Sequence, residues 1–367
     1  MLTATPLAVA LLAAGAIAAP VSRADGDITL REGWRVQSSA KVSGDGAPVS
    51  TASFDASSWY KTSVPNTVFA VLVENGVYKN PYFGMNLRSV PGVSYKIGSE
   101  FANQEMPADS PYAVPWWYRK EFAVPAEYKG RTVWLAFRGI NYRAEIWING
   151  KKLAGSDQVV GAFRRYEFDV TKFVKPGSQN VVAVEVSAPH ANELGITWVD
   201  WNPTPPDKDM GLWQEVVLSS SGPVAVRHSD VETKLDLPSR DKAALTVRAE
   251  LENSSDAPVK GTLRGKILGA ASPVEFSQSV ELNPGEHRAI AISPGDAPAL
   301  NVSHPRLWWP YQMGEPYLHK LELEYIPEKG PVSDKQTIEF GIDQIDSELT
   351  PEGYRLFKVN GKNVLVR

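Results

Sequence analysis

The sequence predicts an all-β protein made of two β-sandwiches in series. Three observations predict it: apolar residues recur at every second position in most segments, turn formers break those segments at short intervals, and sustained helical periodicity is nearly absent. No alternation of strands with helices, of the kind that builds parallel sheets, interrupts the pattern. The expected architecture is an antiparallel sandwich or jelly roll followed by a second, immunoglobulin-like sandwich.

The 367 residues, 43% hydrophobic and 22% charged, have ordinary globular composition and enough length for two or three domains. A net charge of -4 without any run of lysine or arginine gives no footprint for nucleic acid. Near the start, residues 7–19 form an apolar, alanine-rich run that ends in small residues and then the polar Ser22-Arg23-Ala24-Asp25. The run is short for a membrane span and has the length of a signal-peptide core, although the usual preceding positive charge is missing. Residues 1–24 are therefore expected to direct secretion or delivery to the periplasm, with an unstructured N-terminus as the alternative. Nothing later is long and apolar enough to span a bilayer. With no cysteine, the chain has neither disulfides nor thiolate metal sites.

Taken in order, the clearest helix candidate is residues 67–75, with Asn66 as a cap, Val68, Val71 and Leu72 on one face, and Gly76 at the end. Tyr118, Lys120, Phe122 and Val124 then alternate with Arg119, Glu121 and Ala123, predicting a strand with one inner and one outer face. Val133, Leu135 and Phe137 predict a second strand. Tyr142, Ala144, Ile146 and Ile148 predict a third, which runs into Asn149-Gly150, a pair that tolerates the positive φ angles of a two-residue hairpin. Val182, Val184 and Val186 give another. After residue 222 tryptophans thin out, and Leu245, Val247, Ala249 and Leu251 alternate before the turn formers Asn253-Ser254-Ser255-Asp256. Pro284-Gly285 marks a further turn; Leu321, Leu323 and Tyr325 a further strand. Asn360-Gly361 signals a last hairpin. The predicted boundaries are a first sandwich over 28–222, a second over 223–343, and a separate segment over 344–367.

Residues 196–218 stand apart, with three of the eleven tryptophans, three prolines, three aspartates and one lysine. A loop this rich in Trp, Pro and Asp is costly to order, and so much aromatic surface seeks a partner. The expected role is an ordered loop at the end of the sandwich that presents indole faces and carboxylates to a sugar.

Several motifs, in one order, carry a resemblance: Asn141-Tyr142-Arg143-Ala144-Glu145-Ile146-Trp147-Ile148-Asn149-Gly150, Phe168-Asp169-Val170-Thr171, Gly211-Leu212-Trp213-Gln214-Glu215-Val216, Pro305-Arg306-Leu307-Trp308-Trp309-Pro310 with Phe340-Gly341-Ile342, and Phe357-Lys358-Val359-Asn360-Gly361-Lys362. Together they resemble the non-catalytic N-terminal half of glycoside hydrolase family 2, the group of β-galactosidases, β-glucuronidases, β-mannosidases and exo-β-D-glucosaminidases. The resemblance implies a galactose-binding-like jelly roll, an immunoglobulin-like domain and, over 344–367, the lead-in to a catalytic (β/α)₈ barrel. Trp198-Val199-Asp200-Trp201-Asn202-Pro203 is most similar to exo-β-D-glucosaminidases and their β-mannosidase relatives. It departs from the tighter Trp-Asp-Trp-Gly-Pro of the latter by the inserted Val199 and by Asn202.

Retaining glycosidases need two carboxyl groups about 5 Å apart. In this family, as the resemblance implies, both are glutamates on a barrel of ~250 residues. About 25 residues follow Ile342, so neither barrel nor catalytic pair is expected within this chain, and the expected partners are an oligosaccharide and that barrel. The resemblance assigns substrate contact to Asp200 and Trp201, with Trp198 and Asn86 beside them. A carboxylate among indoles suits that role, accepting hydrogen bonds from hydroxyls or pairing with an ammonium group while rings stack on sugar faces. The alternative is that Asp200 caps the loop and Trp201 plugs the sandwich, and Asn86 is equally suited to forming a turn. Asp207 and Asp209 fit turn capping or pairing with Lys208 better than catalysis, and Trp308 and Trp309 fit packing between domains better than ligand stacking. His190, His228, His287, His304 and His319 have no partner at metal-ligand spacing, and neither phosphate-binding glycine loops nor a serine-nucleophile motif occurs, so no cofactor and no metal are expected. A free-standing carbohydrate-binding protein is the rival from another class.

Overall fold

The computed structural model describes residues 26–93, 104–196, 203–270 and 272–365. The expected leader and three candidate site residues, Trp198, Asp200 and Trp201, lie outside them. The described chain is all-β and separates into two compact units, the first from Gly26 to Val224 and the second from Ala225 onward.

In the first unit, a six-stranded sheet runs Tyr60–Thr62, Trp34–Ser38, Trp116–Ala123, Gln179–Ser187, Arg143–Ile148, Lys151–Ala154. A four-stranded sheet runs Ile28–Thr29, Val216–Ser221, Thr132–Phe137, Tyr166–Asp169. All neighbours pair antiparallel. The two-residue period of the sequence sets the register: Val184 lies between Tyr118 and Ile146, and Leu135 between Leu218 and Phe168. Trp34, Tyr118, Leu135, Phe137, Ile146, Ile148 and Val184 meet in one buried core. At the predicted hairpin Asn149 and Gly150 take φ of 50° and 84°, and Ile148 pairs with Lys151. The Asn149 amide nitrogen also donates to Phe173 O and Asn180 Oδ1, both at 2.8 Å, fixing the turn to a neighbouring loop.

One strand face is covered in a way that alternation does not reveal, and one expectation, the helix cap, needs correction. The outer face of the Trp116–Ala123 strand is not a solvated one: Arg119 is 4% exposed, its Nε donating to Val49 O at 3.0 Å and its Nη2 to Thr51 O at 2.9 Å. The reason is a second apolar cluster of Val49, Ala56, Trp59, Trp117 and Ala183, by which the segment around the short helix Gly46–Val49 covers that face. Gly46 is required there, since a Cβ would meet the Trp147 ring at 2.3 Å. The predicted helix is Val68–Glu74, and its cap is Thr67, whose Oγ1 accepts from Ala70 N at 3.5 Å, rather than Asn66. Asn66 lies in a two-residue strand and bonds Glu74 Oε2 at 2.9 Å and Thr62 Oγ1 at 3.0 Å.

In the second unit, one sheet orders Val224–Leu235, Lys242–Asn253 and His287–Ile292, with Asn301–Ser303 also on the middle strand. Another orders Val274–Leu282, Val259–Leu268, His319–Pro327 and Asp334–Phe340. Leu245, Val247, Ala249, Leu251, Leu321, Leu323 and Tyr325 are buried, as their alternation predicts. Trp308 and Trp309 pack within this unit, Trp308 against Gly341 and Trp309 against Gly314 and beneath Lys362. A third sheet, Ile345–Leu349, Arg355–Val359 and Lys362–Val364, contains the predicted Asn360-Gly361 hairpin with φ of 51° and 74°. Asn360 is buried and ties that hairpin down, accepting from Gln344 N at 2.8 Å and donating to Trp308 O at 2.9 Å.

Candidate functional site

The described residues on either side of positions 197–202 are each tied to the first unit. On the N-terminal side of residues 197–202, Glu193 accepts a two-pronged hydrogen bond from the Arg143 guanidinium, Nη1 to Oε2 at 2.8 Å and Nη2 to Oε1. Glu193 Oε2 also accepts from His190 N at 2.8 Å, and the Arg143 guanidinium lies 5.1 Å from the Tyr142 ring centroid. The hydrogen bonds from Arg143 hold the Glu193 carboxyl below its ordinary range. Residues 190–193 are thereby pinned to the strand Arg143–Ile148.

On the C-terminal side, residues 203–210 form a tight turn with Lys208 and Asp209 both at positive φ, 53° and 54°. Non-glycine residues rarely adopt that conformation without support, and here a buried asparagine supplies it. Asn141 Nδ2 donates to Lys208 O at 2.8 Å and to Asp209 O at 2.9 Å. Its backbone exchanges hydrogen bonds with Gly211, 2.9 Å from its N–H and 2.8 Å to its carbonyl. Gly211–Leu212 then pairs with Asn66–Thr67, and Val68 N donates to Met210 O at 2.8 Å. Gly211 must be glycine: its φ is 153°, and a Cβ would lie 2.4 Å from Tyr118 Oη.

Asp207 is fully buried. Its Oδ2 accepts from Phe69 N at 2.6 Å and its Oδ1 from Asp209 N at 3.0 Å. Burial first, then the nearby Asp209 charge, pushes its pKa up to about 7; burial pushes that of Asp209 up to about 6. Lys208 pairs with neither aspartate; its ammonium donates to Gln104 O. Asp207 therefore does what a turn-capping aspartate does, and a carboxylate buried on backbone N–H groups cannot reach a glycosidic bond; Asp209 enters the turn through its backbone, its N–H donating to Asp207 Oδ1 and its carbonyl accepting from Asn141. Sequence reasoning missed the bond from Phe69, 138 residues away, and the Arg143–Glu193 fork, because neither pair has a local spacing that marks it.

Asn86 lies on the loop that follows the Val68–Glu74 helix. Its Nδ2 donates to Asn80 O at 2.9 Å and its backbone N–H to Phe83 O at 3.2 Å, so the structure gives it a turn-forming role. Asn80 Oδ1 accepts from Tyr82 N at 2.9 Å. This internally bonded loop turns Tyr82, Phe83 and Met85 outward, Tyr82 at 95% exposure. The structure thus joins the Asn86 loop, through the helix start and Asp207, to the turn that follows Asp200 and Trp201 in the chain.

Known proteins give these features a context. The family described as "Glycosyl hydrolase 2 galactose-binding domain-like" matches residues 101–197, and that described as "Glycosyl hydrolases family 2" matches residues 224–342. An exo-beta-D-glucosaminidase of Streptomyces avermitilis is 36% identical over 348 residues, covering 95% of this chain and 36% of that protein. A mannosylglycoprotein endo-beta-mannosidase of Lilium longiflorum is 29% identical over 373 residues, covering 93% of this chain and 37% of that protein. The crystal structure of an exo-chitosanase from Amycolatopsis orientalis superposes with a TM-score of 0.80 at 33% identity, over 93% of this chain and 36% of that one. The chain spans about a third of the length of the curated relatives it matches.

Proposed function

The chain belongs to glycoside hydrolase family 2, carrying its galactose-binding-like and immunoglobulin-like N-terminal domains, and on that premise we propose that it is the non-catalytic part of a retaining, exo-acting β-glucosaminidase. The whole enzyme releases terminal β-linked glucosamine from oligosaccharides, and this portion alone is hydrolytically inactive. The observation that carries the reading is the 36% identity to an exo-beta-D-glucosaminidase across 95% of the chain. The lily endo-beta-mannosidase supports a second reading, a β-mannosidase of the same family.

In this account Asp200 accepts hydrogen bonds from the terminal sugar or pairs with its ammonium group, and Trp201, with Trp198, stacks on its C–H face. Asn86 contributes through its side-chain carbonyl, its nitrogen being committed to Asn80 O. The catalytic glutamates belong to a (β/α)₈ barrel that follows this portion. Outward apolar side chains on the last sheet, Ile345, Leu349 and Phe357, support such a neighbour. Residues 1–24 direct the protein out of the cytoplasm. The test compares p-nitrophenyl β-glucosaminide with p-nitrophenyl β-mannoside as substrates of the complete enzyme and of its Asp200→Asn variant. Faster release from the glucosaminide, and a roughly tenfold to hundredfold loss of kcat/KM in the variant, are expected. Preference for the mannoside transfers the reading to the second enzyme, and an unaffected variant removes Asp200 from the site.

A further inference from the structure

A carboxyl group that is fully buried, accepts two backbone hydrogen bonds and has no cationic partner in its own turn needs a reason to be there. Hydrocarbon of the same size would leave Phe69 N and Asp209 N unpaired, so the turn of residues 203–210 needs an acceptor at this position. An asparagine would satisfy one of the two donors and set its own amide against the other. Among the described residues, the ionisable groups facing Asp207 are Asp209 on the same turn, Tyr118 from the strand Trp116–Ala123 and Tyr112 from the segment before it. Glu74, at the far end of the helix, and Tyr78 bear on those two tyrosines. These neighbours are neutral or acidic, and Lys208 directs its ammonium to Gln104 O.

We propose that Asp207 is a positioning residue whose carboxyl clamps the turn of residues 203–210 onto the start of the Val68–Glu74 helix, and that the clamp is proton-linked, firm in acid and loosened as the medium turns alkaline. It rests on the reading that residues 198–201, which precede this turn in the chain, contact the sugar. The two N–H donors sit on separate segments, Phe69 on the helix that leads into the Asn86 loop and Asp209 on the turn itself, so one side chain sets the spacing of both. The direction of the linkage follows from burial. The folded turn holds a proton up to about pH 7, whereas an unfolded chain releases it near the ordinary aspartate value, so the hold is complete in acid and is lost as pH rises through about 7. Asp209, raised to about 6 by burial, adds to the loss in the same direction.

Hydrogen exchange on the intact chain tests the clamp without any sugar. Protection of the Phe69 amide and of peptides spanning residues 203–211, corrected for intrinsic rates, is expected to fall roughly tenfold or more between about pH 5.5 and about pH 8.5. The strand Gln179–Ser187 serves as an internal reference that stays protected. Asp207→Asn is expected to lower protection of both regions in acid and to flatten the pH dependence. Should that variant lose the reference protection as well, Asp209→Asn replaces it: it keeps both hydrogen bonds to Asp207, removes the neighbouring charge, and is expected to make the fall smaller and move it to lower pH. In the complete enzyme Asp207→Asn is expected to raise KM several-fold, with a smaller change in kcat and a flatter alkaline limb. Protection over 203–211 that is independent of pH and of residue 207 overturns the clamp. A clamp that behaves as described in an enzyme whose KM ignores Asp207→Asn overturns its positioning role, and absence of glycosidase activity alongside an intact clamp refutes only the functional reading.

Discussion

Asn141 offers the sharpest stability test. It is fully buried, and its side-chain nitrogen supports two consecutive carbonyls, Lys208 O at 2.8 Å and Asp209 O at 2.9 Å, in a stretch where both residues hold positive φ. Asn141→Ala removes both donors and opens a small polar void. Each buried carbonyl left without a partner costs about 1–3 kcal/mol, and allowing for partial relaxation and entry of water the total is about 2–4 kcal/mol. In a unit of this size 1 kcal/mol moves the melting midpoint by about 2–4 °C, so the first unit should melt roughly 5–15 °C lower. Asn141→Asp is the informative companion, since it keeps the shape but turns an oxygen towards the two carbonyls. At neutral pH it should be at least as damaging as alanine, and in acid, once protonated, it can donate one bond and recover part of the loss. The assay is thermal unfolding by calorimetry from about pH 4 to about pH 8, with the transition of the second unit as the internal control. A midpoint for Asn141→Ala within about 2 °C of the parent would show that this residue does not support the turn.

Further predictions concern separate parts of the molecule. Gly265→Ala would bring a Cβ to 2.0 Å from Phe276 Cζ, its partner across the strand pair, and should cost about 1–3 kcal/mol in denaturant titration, relieved by Phe276→Leu in the double variant. Arg119→Met keeps the apolar stem but leaves Val49 O and Thr51 O without their donor, and should destabilise the first unit by about 1–3 kcal/mol in the same assay. Thr67→Ala should cost only about 0.5 kcal/mol, because its capping bond is long at 3.5 Å.

The strand pattern was legible because a half-buried strand states its inner face every second residue, as Val182, Val184 and Val186 do. Asn149-Gly150 and Asn360-Gly361 were legible because a two-residue hairpin demands positive φ at both positions, and few residues supply it. The covering of Arg119 was not legible because alternation says which residues share a face, not what covers that face; the covering segment lies about 70 residues earlier. The helix cap was displaced by one residue because Asn66 is drawn into pairing with Leu212, a tertiary contact that outweighs its capping preference. The supports of the candidate site, Asp207 on Phe69, Asn141 on Lys208 and Asp209, and Arg143 on Glu193, join residues 50 to 138 positions apart and leave no local signature. Asp207 and Asp209 drew notice as a pair by composition alone; the burial and hydrogen bonds of Asp207 distinguish a turn-forming carboxyl from a reacting one.

On the proposed function, this portion organises a sugar site and leaves bond cleavage to a barrel. The most direct test is release of p-nitrophenol from the β-glucosaminide by the purified chain alone and by the same chain continuous with a family 2 barrel from its own gene. No release above buffer is expected in the first case and sustained turnover in the second, lost when the barrel's catalytic glutamates are replaced by glutamine. Turnover by the chain alone, purified free of contaminating glycosidase, would contradict the proposed function.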